Sequence, residues 1–268
     1  MKVGLLSNSH KDETGTVKGQ IINSLKAKGF EIVEEWAEGD PEPDVFIVLG
    51  GDGTILRAAR RIAVVGIPLL AVNLGRIGFL SELEIDEVDS HLDALLSGDY
   101  RVEERMMLSV RVVRGKEAVY HSEALNEAAI LKRKVSRTVY MKLMIDGVFF
   151  SDYVADGIIC ATPTGSTAYS LSAGGPVVLP DVDVTVVTPV CPYMLALKPL
   201  VADANRVLTI VPDARSETFL AVDGQEQVVL SQGDKVEIRR SESRVKLIKF
   251  KDRAFFDVLG KKLYRSGV

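Results

Sequence analysis

The period of the hydrophobic pattern changes near Tyr100, and this constrains the fold more than any other feature of the chain. Before it, short β-rich runs (Val3 to Leu6, Val45 to Leu49, Pro68 to Val72) alternate with segments whose apolar residues recur at helical spacing. Val17, Ile21, Ile22 and Leu25 share one face of a first helix, and Gly29 is placed to end it in a left-handed turn. A second helix is expected from about Thr54, with Leu56, Ala59, Ile62 and Ala63 inward and Gly66 as its stop. A third carries Ile85, Val88, Leu92, Leu95 and Leu96 before Gly98. Helices between strands imply a mostly parallel, doubly wound sheet. After Tyr100 the period is two, as in Leu108, Val110 and Val112 and in Val139, Met141, Leu143 and Ile145, which is the pattern of antiparallel strands. Asp146-Gly147 and Asp223-Gly224 sit between β-rich runs and are read as type I′ hairpin turns, with no other task. The expected fold is therefore α/β plus all-β. Residues 1–100 form a doubly wound α/β domain and 101–250 a β-rich, sandwich-like domain. Residues 251–268, with Phe255, Phe256, Val258 and Leu259 near helical spacing, return to the first domain.

Of 268 residues, 47% are apolar and 26% charged, a globular balance far from that of disordered chains. Lys and Arg number 33 against 37 Asp and Glu, a net charge of −4. Such a surface has no overall attraction for nucleic acid or an anionic membrane, so any anion must be bound locally. The longest apolar stretch, Ile62 to Val72, is broken by Gly66 and Pro68 and falls short of the roughly 18 to 20 residues that cross a bilayer. The N-terminus reaches polar residues too soon for a secretory signal, which leads to the expectation of a cytoplasmic protein. Cys160 and Cys191 have no Cys-x-x-Cys spacing and no nearby histidine, and are read as two buried free thiols.

Three constellations carry chemistry. In Asp44-Val-Phe-Ile-Val-Leu-Gly50-Gly51-Asp52-Gly53-Thr54 a buried strand runs through a glycine turn into a helix start, where backbone N–H groups favour a phosphate. The spacing fits neither a P-loop nor G-x-G-x-x-G. Asp52 would repel phosphate, so it should accept a proton from a hydroxyl or hold a metal beside the phosphates, unless it is a plain turn or cap residue. Arg57, one turn on, is either part of a solvated basic face with Arg60 and Arg61 or a bidentate phosphate donor.

In the second, Asn126 and Glu127 stand at a strand edge. The amide suits an adenine edge, and the carboxylate suits two adjacent ribose hydroxyls, although taken alone the pair reads more readily as surface residues. A basic loop, Lys132-Arg133-Lys134-Val-Ser-Arg137, follows. The third, Asp156 to Pro176, is so rich in hydroxyls, Gly and Pro from Thr162 to Ser172 that a purely structural role explains it poorly. Ser166 or Thr167 is expected to cap a short helix ended by Gly174 and Gly175, and Tyr169 offers a face for stacking a base. His10, His91 and His121 lie far from these serines in sequence, which ranks a serine hydrolase low.

Together Gly50-Gly-Asp-Gly-Thr54, Asn126-Glu127 and Asp156-Gly-Ile-Ile-Cys-Ala-Thr-Pro-Thr-Gly-Ser-Thr-Ala-Tyr-Ser-Leu-Ser-Ala-Gly-Gly-Pro176 resemble the NAD kinase family, as does Asn73-Leu-Gly-Arg-Ile-Gly-Phe-Leu-Ser81. The glycine motif alone is similar to that of lipid kinases and, in a variant, phosphofructokinases; the long third motif is the specific one. The resemblance implies transfer of the γ-phosphoryl group of ATP to the 2′-hydroxyl of the adenosine ribose of NAD, with a divalent cation, Mg²⁺, carried in with ATP. It implies Asp52 as proton acceptor and Gly50, Gly51, Gly53 and Thr54 around the phosphates. Asn126 and Glu127 would meet the adenosine part of NAD, with Asp156, Thr164, Thr167, Ala168, Tyr169, Ser170, Leu171 and Ser172 along the dinucleotide. Arg57, Arg137 and Gln225 match positions that approach the ligand in relatives. Many bacterial relatives carry Arg where this chain has Val154. Relatives are commonly homodimers or homotetramers. A lipid or sugar kinase sharing only the glycine motif, and a dinucleotide sensor without transfer, are the alternatives.

Overall fold

The computed structural model describes residues 1–7, 15–34, 36–37, 39–75, 78–134, 138–213, 217–250 and 258–260. The chain divides into two compact units, one of Met1–Glu104 rejoined at Val245, the other of Arg105–Arg244. In the first unit the elements run β1 (Lys2–Ser7), α1 (Thr16–Ala27), β2 (Glu31–Glu34), β3 (Val45–Gly50), α2 (Asp52–Ala63), β4 (Leu69–Asn73), β5 (Leu83–Glu84) and α3 (Val88–Ser97), followed by the start of β6 (Arg101–Arg114). The sheet order is β2-β1-β3-β4, with β5 beside β4 and every pairing parallel. The order reverses direction between β1 and β3, a topological switch point at whose carboxyl edge α/β sheets place ligands. Gly50-Gly51-Asp52 leaves β3 at that edge.

Packing explains the helices. Ile21 and Leu25 of α1 and Val88, Leu92 and Leu95 of α3 bury against Val3, Leu5, Val45, Ile47, Leu49, Leu70 and Val72. Gly29 and Gly98 end α1 and α3 at φ 83° and 76°, a left-handed conformation that glycine adopts without cost. Leu96, expected inward, is 43% exposed. Phe46 on β3 meets Trp36 edge-on, and the exposed Arg61 of α2 lies over the Trp36 ring and donates to its carbonyl.

The second unit continues with β7 (Glu117–Ala124), β8 (Glu127–Lys132), β9 (Val139–Ile145), β10 (Val148–Ala155), β11 (Gly157–Ala161), the single turn α4 (Tyr169–Ser172), β12 (Val184–Val190), β13 (Leu200–Asp203), β14 (Leu208–Pro212), β15 (Thr218–Val222), β16 (Glu226–Val229) and β17 (Lys235–Lys249). Two antiparallel sheets face each other. One has the order β10-β9-β14-β17, with β6 beside β17 and β7 beside β6; the other has β13-β12-β11-β8-β15-β16. Their inner faces share one core, which includes Leu108, Val110, Val112, Ile130, Met141, Leu143, Ile158, Val187, Ile210, Leu220 and Ile238. This is the alternation read from the sequence, one residue in two turned inward. Both Asp-Gly pairs are turns with two positive φ values, 50° and 78° at Asp146-Gly147 and 50° and 64° at Asp223-Gly224.

The last residues of β17 return to the first unit, where Leu247 pairs in parallel with Leu69 and Ile248 is buried. Most of the expected C-terminal segment, residues 251–257 and 261–268, lies outside the described residues. Cys160 is buried, but Cys191 is exposed and held at φ 45°, which corrects the expectation of two buried thiols. No helix among the described residues is long and apolar enough to cross a membrane.

Candidate active site

In the first unit the glycine turn leads into α2 two residues earlier than the pattern suggested. Asp52, not Thr54, is the first helical residue, and Gly51 stands at the N-cap in extended conformation with no side-chain cap. A carboxylate in the first turn is favoured by the helix dipole. The Asp52 carboxylate is further fixed from a distance. Oδ2 accepts the Phe79 amide at 3.0 Å, and Oδ1 accepts the Leu80 amide at 3.3 Å. A Cβ on Gly78 would collide with that carboxylate, so only glycine lets the 78–80 turn approach so closely. Gly50 is constrained in the same way, since a Cβ there would lie 2.6 Å from Thr54. Gly53 and Arg57 are exposed on the helix surface. The role of residues 78–80 was not deduced from the sequence. Their motif is visible in Asn73 to Ser81, but a contact to Asp52 depends on the fold bringing distant turns together.

In the second unit the Asn126-Glu127 and Asp156-to-Pro176 motifs come together. β8 pairs with β11, setting Glu127 opposite Ala161. The Asn126 carbonyl accepts the Thr162 amide at 2.8 Å, and Gly165 packs so tightly on that carbonyl that a Cβ would collide with it. The Thr162 hydroxyl donates to the Leu125 carbonyl at 2.5 Å and accepts the Gly165 amide at 3.0 Å. The Asp223 carboxylate, in the second Asp-Gly turn, accepts the amides of Leu125, Asn126 and Glu127 at 3.0, 2.8 and 3.1 Å. This turn therefore has a second task that hairpin chemistry alone did not predict.

Glu127 is 6% exposed, and its Oε2 has no hydrogen-bond partner among the described residues. Burial first, and then the negative charge of Asp223, push its pKa up to about 8. It thus holds a proton at neutral pH and offers an O–H donor, where the sequence suggested an ionised acceptor. The half-buried Asn126 side chain makes no hydrogen bond among the described residues. Asp156 pairs with Lys132 at 2.7 Å. Tyr169 is 38% exposed; burial, then the charges of Cys191, Asp156 and Glu127, raise its pKa.

The hydroxyl-rich stretch divides into two groups. Gly165–Thr167 forms a 3₁₀ turn, and α4 starts only at Tyr169 with no side-chain cap. Ser166 and Thr167 are not caps as expected, because their hydroxyls donate to the carbonyls of Pro163 and Thr164. Ser170 is fully buried and bonded to the Thr188 hydroxyl at 2.8 Å, with Gly175 packed on both. Ala168 and Leu171 are half-buried, and Ser172 is exposed. Thr164 is buried, and its hydroxyl accepts from Arg105 at 3.2 Å, a contact not anticipated from the sequence. Gln225 follows the Asp223 turn, its amide donating to the Val222 carbonyl at 3.0 Å. The Val154 carbonyl accepts the Tyr193 amide. Arg137 lies outside the described residues. Among the described residues no group of three or more His, Cys, Asp or Glu side chains is placed to hold a metal.

Comparison with known proteins bears on both units. The model for the ATP-NAD kinase N-terminal domain matches residues 10–100, and that for the ATP-NAD kinase C-terminal domain matches residues 125–250. An NAD kinase of Geobacter metallireducens is 44% identical over 276 residues, covering 98% of this chain and 98% of that protein. An NAD kinase of Moorella thermoacetica is 38% identical over 281 residues, covering 99% and 90%. Among solved structures, a yeast NADH kinase complexed with NADH has a TM-score of 0.88 at 25% identity, covering 100% of this chain and 88% of that one. An NAD kinase from Archaeoglobus fulgidus in complex with ATP has a TM-score of 0.79 at 27% identity, covering 97% of each. With both domains matched in order and relatives aligned over nearly the full length, the chain belongs to the NAD kinase family.

Proposed function

We propose that this protein is an NAD kinase, transferring the γ-phosphoryl group of ATP to the 2′-hydroxyl of the adenosine ribose of NAD to give NADP and ADP. The observation that carries the reading is the 44% identity to an NAD kinase over 98% of both chains. Named structural relatives hold NADH and ATP, the two ligand classes the reaction needs.

Within this reading Asp52 is the proton acceptor. As the 2′-oxygen bonds to the γ-phosphorus, the bridging oxygen of ADP leaves and the hydroxyl proton passes to the Asp52 carboxylate. The amides of Phe79 and Leu80 fix that carboxylate, which favours the reaction by orienting the base rather than by flexible search. Gly50, Gly51, Gly53 and Thr54 flank the phosphates at the head of α2, and exposed Arg57 is available to a phosphate oxygen. The divalent cation, Mg²⁺, enters bound to ATP as part of the substrate and neutralises phosphate charge. Asn126 and Glu127 recognise the adenosine part of NAD. Asp156, Thr164, Thr167, Ala168, Tyr169, Ser170, Leu171, Ser172 and Gln225 form the remainder of the dinucleotide site, with Arg137 as a further contact. Of these, Ser170 contributes by holding α4 through Thr188. The enzyme acts in the cytoplasm as a homodimer or homotetramer, for which the exposed Val148, Phe149 and Phe150 of β10 offer an apolar contact.

The test is to incubate the purified chain with NAD, ATP and Mg²⁺ and to follow NADP with an NADP-specific dehydrogenase. ATP-dependent NADP formation is expected. Phosphorylation of diacylglycerol instead would point to a lipid kinase, and tight NAD binding without product would point to a dinucleotide sensor.

A further inference from the structure

Between the end of β7 at Ala124 and the start of β8 at Glu127, three successive amides, those of Leu125, Asn126 and Glu127, turn towards one point. In a regular strand successive amides alternate in direction, so this convergence is a local break that forms a small anion-binding concavity. The anion is supplied by the protein itself as the buried carboxylate of Asp223. Left unmatched, three inward-turned amides would be strongly unfavourable. Hairpin geometry alone does not require aspartate here, since Asn or Gly serves a type I′ turn at least as well. The carbonyl sides of the same residues are tied as well. Leu125 accepts the Thr162 hydroxyl, Asn126 accepts the Thr162 amide, and Glu127 accepts the Asp223 amide at 2.9 Å. The backbone that bears Asn126 and Glu127 is therefore clamped between Asp223 and the Thr162–Gly165 turn.

We propose that Asp223 is a positioning residue for dinucleotide binding: by gathering these three amides it sets the direction in which the Asn126 and Glu127 side chains meet NAD. Asp223 makes no contact with substrate on this account, and the assignment rests on the kinase reading of Asn126 and Glu127. Burial first, and the charge of Asp223 in addition, raise the Glu127 pKa and favour the protonated, donating carboxyl. Other ionisable groups of this region include Asp156, paired with Lys132, Arg105, which donates to Thr164, and Tyr169, which feels Glu127, Asp156 and Cys191.

The experiment compares the full-length enzyme with Asp223→Ala and Asp223→Asn, measuring kcat, KM for NAD and for ATP, and NAD binding by calorimetry from pH 6 to 9. Asn tolerates the left-handed turn and keeps one acceptor oxygen, so it isolates the charge and the third hydrogen bond and decides the matter alone if the alanine variant does not fold. For Asp223→Ala, KM and Kd for NAD should rise about tenfold or more, with Asn intermediate, while KM for ATP and kcat at saturating NAD stay within about threefold. The pH at which NAD affinity changes should also move lower in both variants, because Glu127 loses a negative neighbour. Unchanged KM and Kd for NAD in both variants would overturn the proposal. A loss of folded, active protein with the remaining enzyme unchanged in KM for NAD would also overturn it, since that marks a purely structural residue. Wild-type protein that binds NAD without making NADP would refute the kinase reading, yet the calorimetric comparison would still decide the role of Asp223. Wild-type protein that does not bind NAD would refute both.

Discussion

Asp52 and Asp223 each turn a carboxylate onto backbone amides from another part of their unit, the first onto residues 79 and 80, the second onto residues 125–127. Such bonds to a charged acceptor are stronger than neutral ones and fix direction as well as distance. The crowding at Gly78 makes this testable. Gly78→Ala should displace the Asp52 carboxylate and lower kcat about tenfold or more while the far-ultraviolet circular dichroism stays native; full activity would mean that the turn does not position Asp52. Glu127 gives a second test, through pH. Its pKa is raised from 4.5 to about 8, so between those values the folded chain holds a proton that the unfolded chain has released. Stability from this source is fully present below the ordinary glutamate pKa and is lost as pH rises to about 8. Glu127→Gln keeps a neutral side chain at every pH. Its midpoint in urea should therefore gain on wild type from pH 5 to about pH 8 and then level off, whereas parallel profiles would show that Glu127 ionises normally.

At the scale of elements, legibility followed the range of the forces involved. α1 and α3 end at Gly29 and Gly98 as read, and the inward residues of β6 and β9 alternate as read, because local period and turn chemistry determine them. The start of α2 was misplaced because Asp52 is held by Phe79 and Leu80, a partnership that spacing along the chain does not encode. Short β2 went unread for a related reason: among the described residues it pairs only with β1, and it has a half-exposed pattern too weak to signal a strand. Of the candidate site, the residue types in the three motifs were legible. The pairing of Asn126 with Thr162 and Gly165 was not, because it depends on β8 lying beside β11. β17 belongs to the same class, since nothing local announces that its last residues enter the first unit, where Leu247 pairs with Leu69 of β4. Val245, Leu247 and Ile248 are at most 2% exposed. Ending the chain at Arg244 should therefore unfold the first unit, seen as rapid hydrogen exchange and proteolysis across residues 16–104. Protection equal to that of the full chain would show that this strand is dispensable.

For the molecule as a whole, each unit carries one part of the chemistry: a glycine turn with a fixed carboxylate in the first, and a clamped Asn-Glu pair with a hydroxyl-rich turn in the second. Membership of the NAD kinase family assigns the chain a phosphoryl transfer, which depends on position and charge more than on exotic chemistry. On the kinase reading Asp52 takes the proton from the attacking ribose hydroxyl, and kcat for NADP formation measured beside the calorimetric Kd for NAD in Asp52→Asn tests this. Asparagine preserves size and can still accept the Phe79 or Leu80 amide, but it cannot take a proton. A fall in kcat of about 10²- to 10⁴-fold is expected, with Kd for NAD changed by less than about threefold. Undiminished turnover, or a loss of turnover that is matched by an equal loss of NAD binding, would contradict it.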